Sequence, residues 1–151
     1  MSIYLEELKN IGLASDHAGY EAKQIVIEYL ESNALPYKDF GTYSKESADY
    51  TDFAHPMADA IERGECYSGI AICGTGNGIN MTMNKHQGIR SALCWNSEIT
   101  RLTRTHNDAN VLTLPGRYLS EKEIVEMVEV FLTTRFEGGR HEDRIKKIPC
   151  I

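Results

Sequence analysis

Five times along this chain a short apolar run gives way to a longer stretch of helical period, and that alternation narrows the choice of folds more than any other feature. The runs are "IGLAS" (11–15), "PYKDF" (36–40), "GIAIC" (69–73), "SALC" (91–94) and "NVLTL" (110–114). Each is followed by an amphipathic segment: "YEAKQIVIEYLESN", "DFAHPMADAIERG", "GINMTMNKH", "NSEITRLTRTH" and "SEKEIVEMVEVFLTT". In the first of these, Ala22, Ile25, Val26, Tyr29 and Leu30 fall on one helical face. Parallel strands need helical crossovers, so five strand-helix units in series predict a five-stranded parallel sheet with helices on both faces, a Rossmann-like three-layer α/β/α sandwich. Ser120 and Glu123 form a capping box for the fifth helix, and "EGGRHEDRIKKIP" begins a charged helical tail behind a Gly-Gly break. With 151 residues, the expectation is a single domain over 11–151, preceded by an N-terminal extension over 1–10.

In open parallel sheets, ligands bind outside the carboxyl ends of the strands. The residues that follow the strands here are Asp16-His17, Gly41-Thr42, Cys73 to Gly78, Trp95-Asn96 and Pro115 to Arg117. Among them "CGTGNGI" (73–79) is the most specific. It is not a dinucleotide fingerprint, because Ile79 occupies the third glycine position and the loop follows the third strand; nor does it end in the Gly-Lys-Ser/Thr of a phosphate-binding P-loop. Glycines without Cβ atoms let backbone N–H groups converge on negative charge, either a phosphate or an enolate oxygen, although the same glycines also suit a plain tight turn. Cys73 is expected at the mouth of that loop, where positive potential favours a thiolate able to act as base or nucleophile. The alternative is a cysteine that fills core, the role expected of Cys66 and Cys94.

His17 at the first strand end suits a substrate hydroxyl or phosphate, while Ser15 or Asp16 also suits a helix cap. His106, taken by itself, reads as a surface histidine between helix and strand, and His55 and His86 read as structural. Arg140 and Arg144 are spaced for one face of a helical tail, and Arg117 follows Gly116; arginine is the multi-donor partner of phosphate. A net charge of −6 leaves no footprint for nucleic acid or anionic lipid, and no apolar stretch approaches the roughly 20 residues that span a bilayer. The four cysteines form no CxxC pair, so free thiols in the cytoplasm are expected, and a zinc site or other metal is not.

The segments "SDHAGYEAK", "DFGTYS…DYTDFA", "CGTGNGI…NK", "GIRSALC", "RTHNDANVL" and "FEGGRHEDRI", in this order from about Ile11 to Ile148, resemble the ribose-5-phosphate isomerase B family, which includes galactose-6-phosphate isomerase. The resemblance implies cofactor-free interconversion of ribose 5-phosphate and ribulose 5-phosphate through a cis-enediolate, a step of the pentose phosphate pathway. It implies Cys73 as the catalytic base and Thr75, with the amides of Gly74, Gly76, Asn77 and Gly78, as the anion hole. His106 would open the furanose ring, and Asp16 and Tyr50 would line the sugar site. His17, Arg117, Arg140 and Arg144 would hold the phosphate, and Asn107 would bind substrate. It also implies a homodimer or homotetramer whose site lies between subunits. Departures from the family pattern are Asn77 with "NMTMNK", Thr51 in place of proline, and Trp95-Asn96 after the fourth strand, the change most apt to reshape the pocket. Two alternatives stay open: an isomerase of galactose 6-phosphate or allose 6-phosphate, and a non-catalytic phosphosugar- or nucleotide-binding module.

Overall fold

The structure, a computed structural model, describes residues 9–151; the extension expected over 1–10 lies almost wholly outside the described residues. Every apolar run becomes a strand and every periodic stretch a helix. In chain order they are β1 (Asn10–Ser15), α1 (Tyr20–Ser32), β2 (Tyr37–Asp39), α2 (Thr51–Glu62), β3 (Cys66–Cys73) and α3 (Asn77–Met83). β4 (Ser91–Leu93), α4 (Ser97–Asn107), β5 (Val111–Pro115) and α5 (Glu121–Thr133) follow, and a 3-10 turn over Gly139–His141 leads into α6 (Glu142–Lys146). All strand pairs are parallel, in the order β2-β1-β3-β5-β4. The expected three-layer α/β/α architecture is the one observed. β3 is longer than the apolar run because Cys66 and Ser68 also pair with β1, with Tyr67 between them at a register shift opposite Asn10/Ile11.

The period of two along the strands divides the sheet into unlike faces. Ile11 and Leu13 of β1, Ile70 and Ile72 of β3, and Leu112 and Leu114 of β5 point to one side, where they pack with α1 and α5 and with Ile99 of α4. Ala14, Ala71, Cys73 and Val111 point to the other side, against α2 and α3. Large branched side chains therefore face one layer of helices and small ones face the other. Gly12 and Gly69 extend the small face: a Cβ on either would come within 2.8 Å of the Met57 side chain of α2. The absence of side chains there lets α2 lie close to the sheet.

Local signals set the helix ends. The capping box at α5 is present in full, with Ser120 accepting from the Glu123 amide and Glu123 accepting from the Ser120 amide. At α1 the cap is Gly19 rather than Ser15 or Asp16, and it makes no side-chain capping bond. Asp16 instead closes the turn before the helix by accepting from the Gly19 N–H at 3.0 Å. Leu112 is wholly buried at the centre of the larger cluster. Leu112→Ala is expected to lower unfolding free energy by about 2–5 kcal/mol in urea titrations, and a loss below about 1 kcal/mol would contradict this packing.

Candidate active site

β1, β3 and β5 end side by side. Ser15 pairs with Ile72 and Cys73 with Pro115, so Asp16, Cys73 and Gly116-Arg117 leave the sheet at one corner. Cys73 is the last residue of β3, and parity turns it toward α2 and α3 with Gly69 and Ala71. It is 4% exposed and packs in the cluster that holds Ile79 and the half-buried Tyr50 and Phe53. The sequence places this thiol at the mouth of the glycine loop; in the structure it is the floor beneath the loop.

The loop itself is shaped by what its glycines leave out. Gly74 is buried, and a Cβ there would stand 3.4 Å from Cδ and Nη1 of Arg117. Gly76 is left-handed at φ 80°, the conformation that ends the strand and starts α3, and its Cβ would fall 2.5 Å from Leu93. Gly78 lies under the Tyr50 ring, where a Cβ would sit 2.6 Å from the phenolic oxygen. Thr75 and Asn77 are exposed on the outer rim, and Thr75 Oγ1 accepts from the Asn77 N–H at 3.2 Å. At the end of β1, His17 Nδ1 stands 3.1 Å from the Ala48 N and 3.3 Å from the Ala48 carbonyl, which ties the ring to the segment after β2. His17, Lys45, Arg117, Gly116 and Glu21 line a cleft of about 300 Å³.

The remaining expected residues gather elsewhere. His106, Asn107, Arg140 and Arg144, with His141 and Ile148, line a second cleft of about 360 Å³. α4 runs antiparallel to the strands, so its last turn lies at the amino end of β5, the end opposite Cys73. Five residues of β5 separate the two ends, roughly 13 Å of strand. The tail reaches this end because the Glu137 N–H donates to the Thr105 carbonyl of α4. Arg140 stands in the 3-10 turn and Arg144 in α6, and both face the cleft. The expected site residues thus fall into two groups at opposite ends of the sheet.

Two residues that the sequence reading passes over support these two groups. Lys23 is 0% exposed although it sits on the apolar face of α1 with Val26 and Leu30. Its ammonium donates to Asp39 at 2.6 Å and to the Thr42 carbonyl, and Asp39 also accepts from the Gly41 N–H. The segment so tied is clasped to the β1 end, with Ser15 and Thr42 exchanging backbone bonds with Gly41 and Ser15. It continues to Ala48, which holds His17, and to Tyr50. Burial pulls the Lys23 ammonium below its usual range, and Asp39 opposes that shift. The only signal in the sequence was a lysine at helical spacing from Val26 and Leu30.

The second is His141, buried and stacked on His106 with centroids 4.6 Å apart and planes 19° apart. Its Nε2 is buried without a hydrogen-bond partner among the described residues, 3.8 Å from Glu137. Burial, then the charges of His106 and Arg140, hold its pKa below the ordinary value, so it stays neutral while braced against His106. Elsewhere, burial raises the Cys66 thiol and pushes Cys94 up to about 11, which keeps both protonated and inert as expected of core cysteines.

The chain is similar to proteins of one kind along almost its whole length. Residues 11–148 match the family described as Ribose/Galactose Isomerase. Ribose-5-phosphate isomerase B of Escherichia coli is 37% identical over 144 residues, covering 95% of this chain and 97% of the relative. The crystal structure of a ribose 5-phosphate isomerase from Thermotoga maritima matches with a TM-score of 0.92 at 45% identity, covering 95% of this chain and 99% of the other. Ribose-5-phosphate isomerase B from Mycoplasma genitalium, solved with bound ribulose-5-phosphate, matches with a TM-score of 0.86 at 41% identity, over 92% of this chain and 93% of the other.

Removing the Lys23 ammonium would strand Asp39 and the Thr42 carbonyl. Lys23→Met is therefore expected to cost about 3 kcal/mol of stability and to raise KM by loosening the His17 support. An unchanged melting temperature together with unchanged KM would contradict that role.

Proposed function

This chain belongs to the ribose/galactose isomerase family, and we propose that it interconverts ribose 5-phosphate and ribulose 5-phosphate without a cofactor. The observation that carries this reading is the Cys73 thiol at the carboxyl end of the central strand, where the glycine loop begins. It is reinforced by the Mycoplasma genitalium relative, 41% identical, solved with ribulose-5-phosphate bound. In this mechanism His106 assists opening of the furanose to the free aldehyde. The Cys73 thiolate removes the proton on C2, the C–H electron pair forms the C1–C2 double bond, and the carbonyl pair moves onto O1. The same sulfur then returns the proton to C1 as the O2 proton passes to O1, which leaves O1 a hydroxyl and O2 the ketone oxygen. Thr75 and the amides of Gly74, Gly76, Asn77 and Gly78 are positioned by the loop to meet the charge that develops, an interaction stronger in the transition state than in the ground state.

Asp16 and Tyr50 line the sugar, and Asn107 contributes a further substrate contact. His17, Arg117, Arg140 and Arg144 hold the phosphate. The pentose is too short to bridge the two ends of one sheet, so the site is completed by a second copy, whose His106, Asn107, Arg140 and Arg144 meet the Cys73 corner of the first. A twofold axis makes two such sites at once, in a homodimer or in a homotetramer of paired dimers. All four cysteines are free, which suits the reducing cytoplasm, where we place the protein.

Cys73→Ala is expected to lower kcat by about 10²–10⁴-fold in a folded protein, and retention of most activity would remove Cys73 as the base. Arg140→Ala is expected to raise KM for ribose 5-phosphate with a smaller change in kcat, whereas an unchanged KM would take Arg140 out of the phosphate site. Across a panel of sugar phosphates, kcat/KM for ribose 5-phosphate should exceed that for galactose 6-phosphate and allose 6-phosphate by about tenfold or more. A preference for a six-carbon sugar would reassign the substrate, and binding of every sugar without turnover would reduce the chain to a binding module.

A further inference from the structure

Away from the strand ends, α2 and the turn after α3 bring together four side chains for which the isomerase reading has no use. His55, Asp59 and Glu62 recur along α2 at i, i+4 and i+7, which puts them on one exposed stripe. His86 follows α3 and lies over that stripe. Its Nδ1 stands 3.2 Å from Oε1 of Glu62 and 3.5 Å from Oδ1 of Asp59. On the far side of the same ring, Nε2 stands 2.7 Å from Nδ1 of His55. One ligand atom from each of Asp59, Glu62 and His86 falls within 4.8 Å of the others. Atoms around a tetrahedral ion with bonds of about 2.1 Å are about 3.4 Å apart, so both histidine–carboxylate spacings are those of a coordination shell.

The surroundings of the ring point the same way. His86 Nδ1 is within hydrogen-bond reach of Glu62 Oε1, and in the tautomer that keeps the proton on Nε2, shared with His55, its Nδ1 lone pair is free to ligate an ion beside the two carboxylates. A metal-bound histidine ordinarily donates its other N–H to a fixed partner, which is the place His55 occupies. Glu62 is fixed as well: its second oxygen accepts from the Gly88 N–H at 2.8 Å, leaving Oε1 turned toward His86. His86 pairs with both Asp59 and Glu62.

We propose that Asp59, Glu62 and His86 form a binding site for a divalent transition-metal ion, with His55 as the hydrogen-bonded support of His86 and water completing the shell. One imidazole and two carboxylates suit zinc or cobalt better than magnesium or calcium, which favour all-oxygen shells. The ion clamps the end of α2 to the turn between α3 and β4 and takes no part in proton transfer at Cys73. Linear spacing conceals such a site, because the histidine and the carboxylates come from different elements and pair only through packing of α2 on α3.

The test uses untagged full-length protein carrying Cys150→Ser, which removes the one exposed thiol, titrated with zinc chloride by calorimetry and with cobalt chloride by visible absorption. The expected result is one ion per chain with micromolar affinity, a rise in melting temperature, and cobalt d–d bands without sulfur charge-transfer bands. Affinity should fall by about tenfold or more in His86→Ala and in Glu62→Gln. Isomerase activity of metal-free Asp59→Asn should match the parent, which separates failure of this site from failure of the isomerase reading. Absence of stoichiometric binding, or titrations unchanged in both the His86→Ala and Glu62→Gln variants, would overturn the proposal.

Discussion

The unequal faces of the central sheet are the constraint from which the rest of the structure follows. Isoleucine and leucine on one face bury the apolar area that holds α1 and α5, while glycine, alanine and cysteine on the other let α2 and α3 approach closely. Close approach on the small face brings Tyr50 over Gly78 and sets Cys73 under the first turn of α3. The same parity that builds the core thus selects which side chain at the end of β3 faces the site. A one-residue slip of β3 would turn Ile72 to that corner and bury Cys73 against α1.

The architecture was legible because it depends on local pattern. Branched runs of four or five residues, helical periodicity between them, and the Ser120–Glu123 capping pair each carry their signal within a few positions. The site was legible in part, for the same reason: strand-end position and glycine content pick out Asp16-His17 and Cys73 to Gly78, and the family resemblance adds His106, Asn107 and the tail arginines. What the sequence concealed depends on distance in space. Lys23 reads as one more charge on a helix until Asp39 and Thr42 close around it. His141 reads as part of a charged tail until it stacks on His106. The depth of Cys73 could not be read either, because it depends on how closely α3 and Tyr50 cover it.

Two half-sites at opposite ends of one sheet make assembly part of the proposed chemistry. In the proposed mechanism the corner at Cys73 supplies the thiolate and main-chain donors with one arginine nearby, whereas the cleft at His106 supplies two arginines and a stacked histidine pair. In that proposal neither end alone supplies both the phosphate contacts and the proton transfer. The proposed division would have a physical advantage: the reacting groups would meet only when two copies dock, which would close the site from water and fix the phosphate at a set distance from the sulfur.

Subunit complementation examines that division most directly. Cys73→Ala and His106→Asn variants, each inactive alone, would be mixed in equal amounts under mild denaturant, reassembled and assayed with ribose 5-phosphate. Each mixed dimer has one intact site and one doubly altered site, so about a quarter of wild-type activity should return. Recovery of none, with mixed dimers verified by native mass spectrometry, would show that Cys73 and His106 do not meet across an interface.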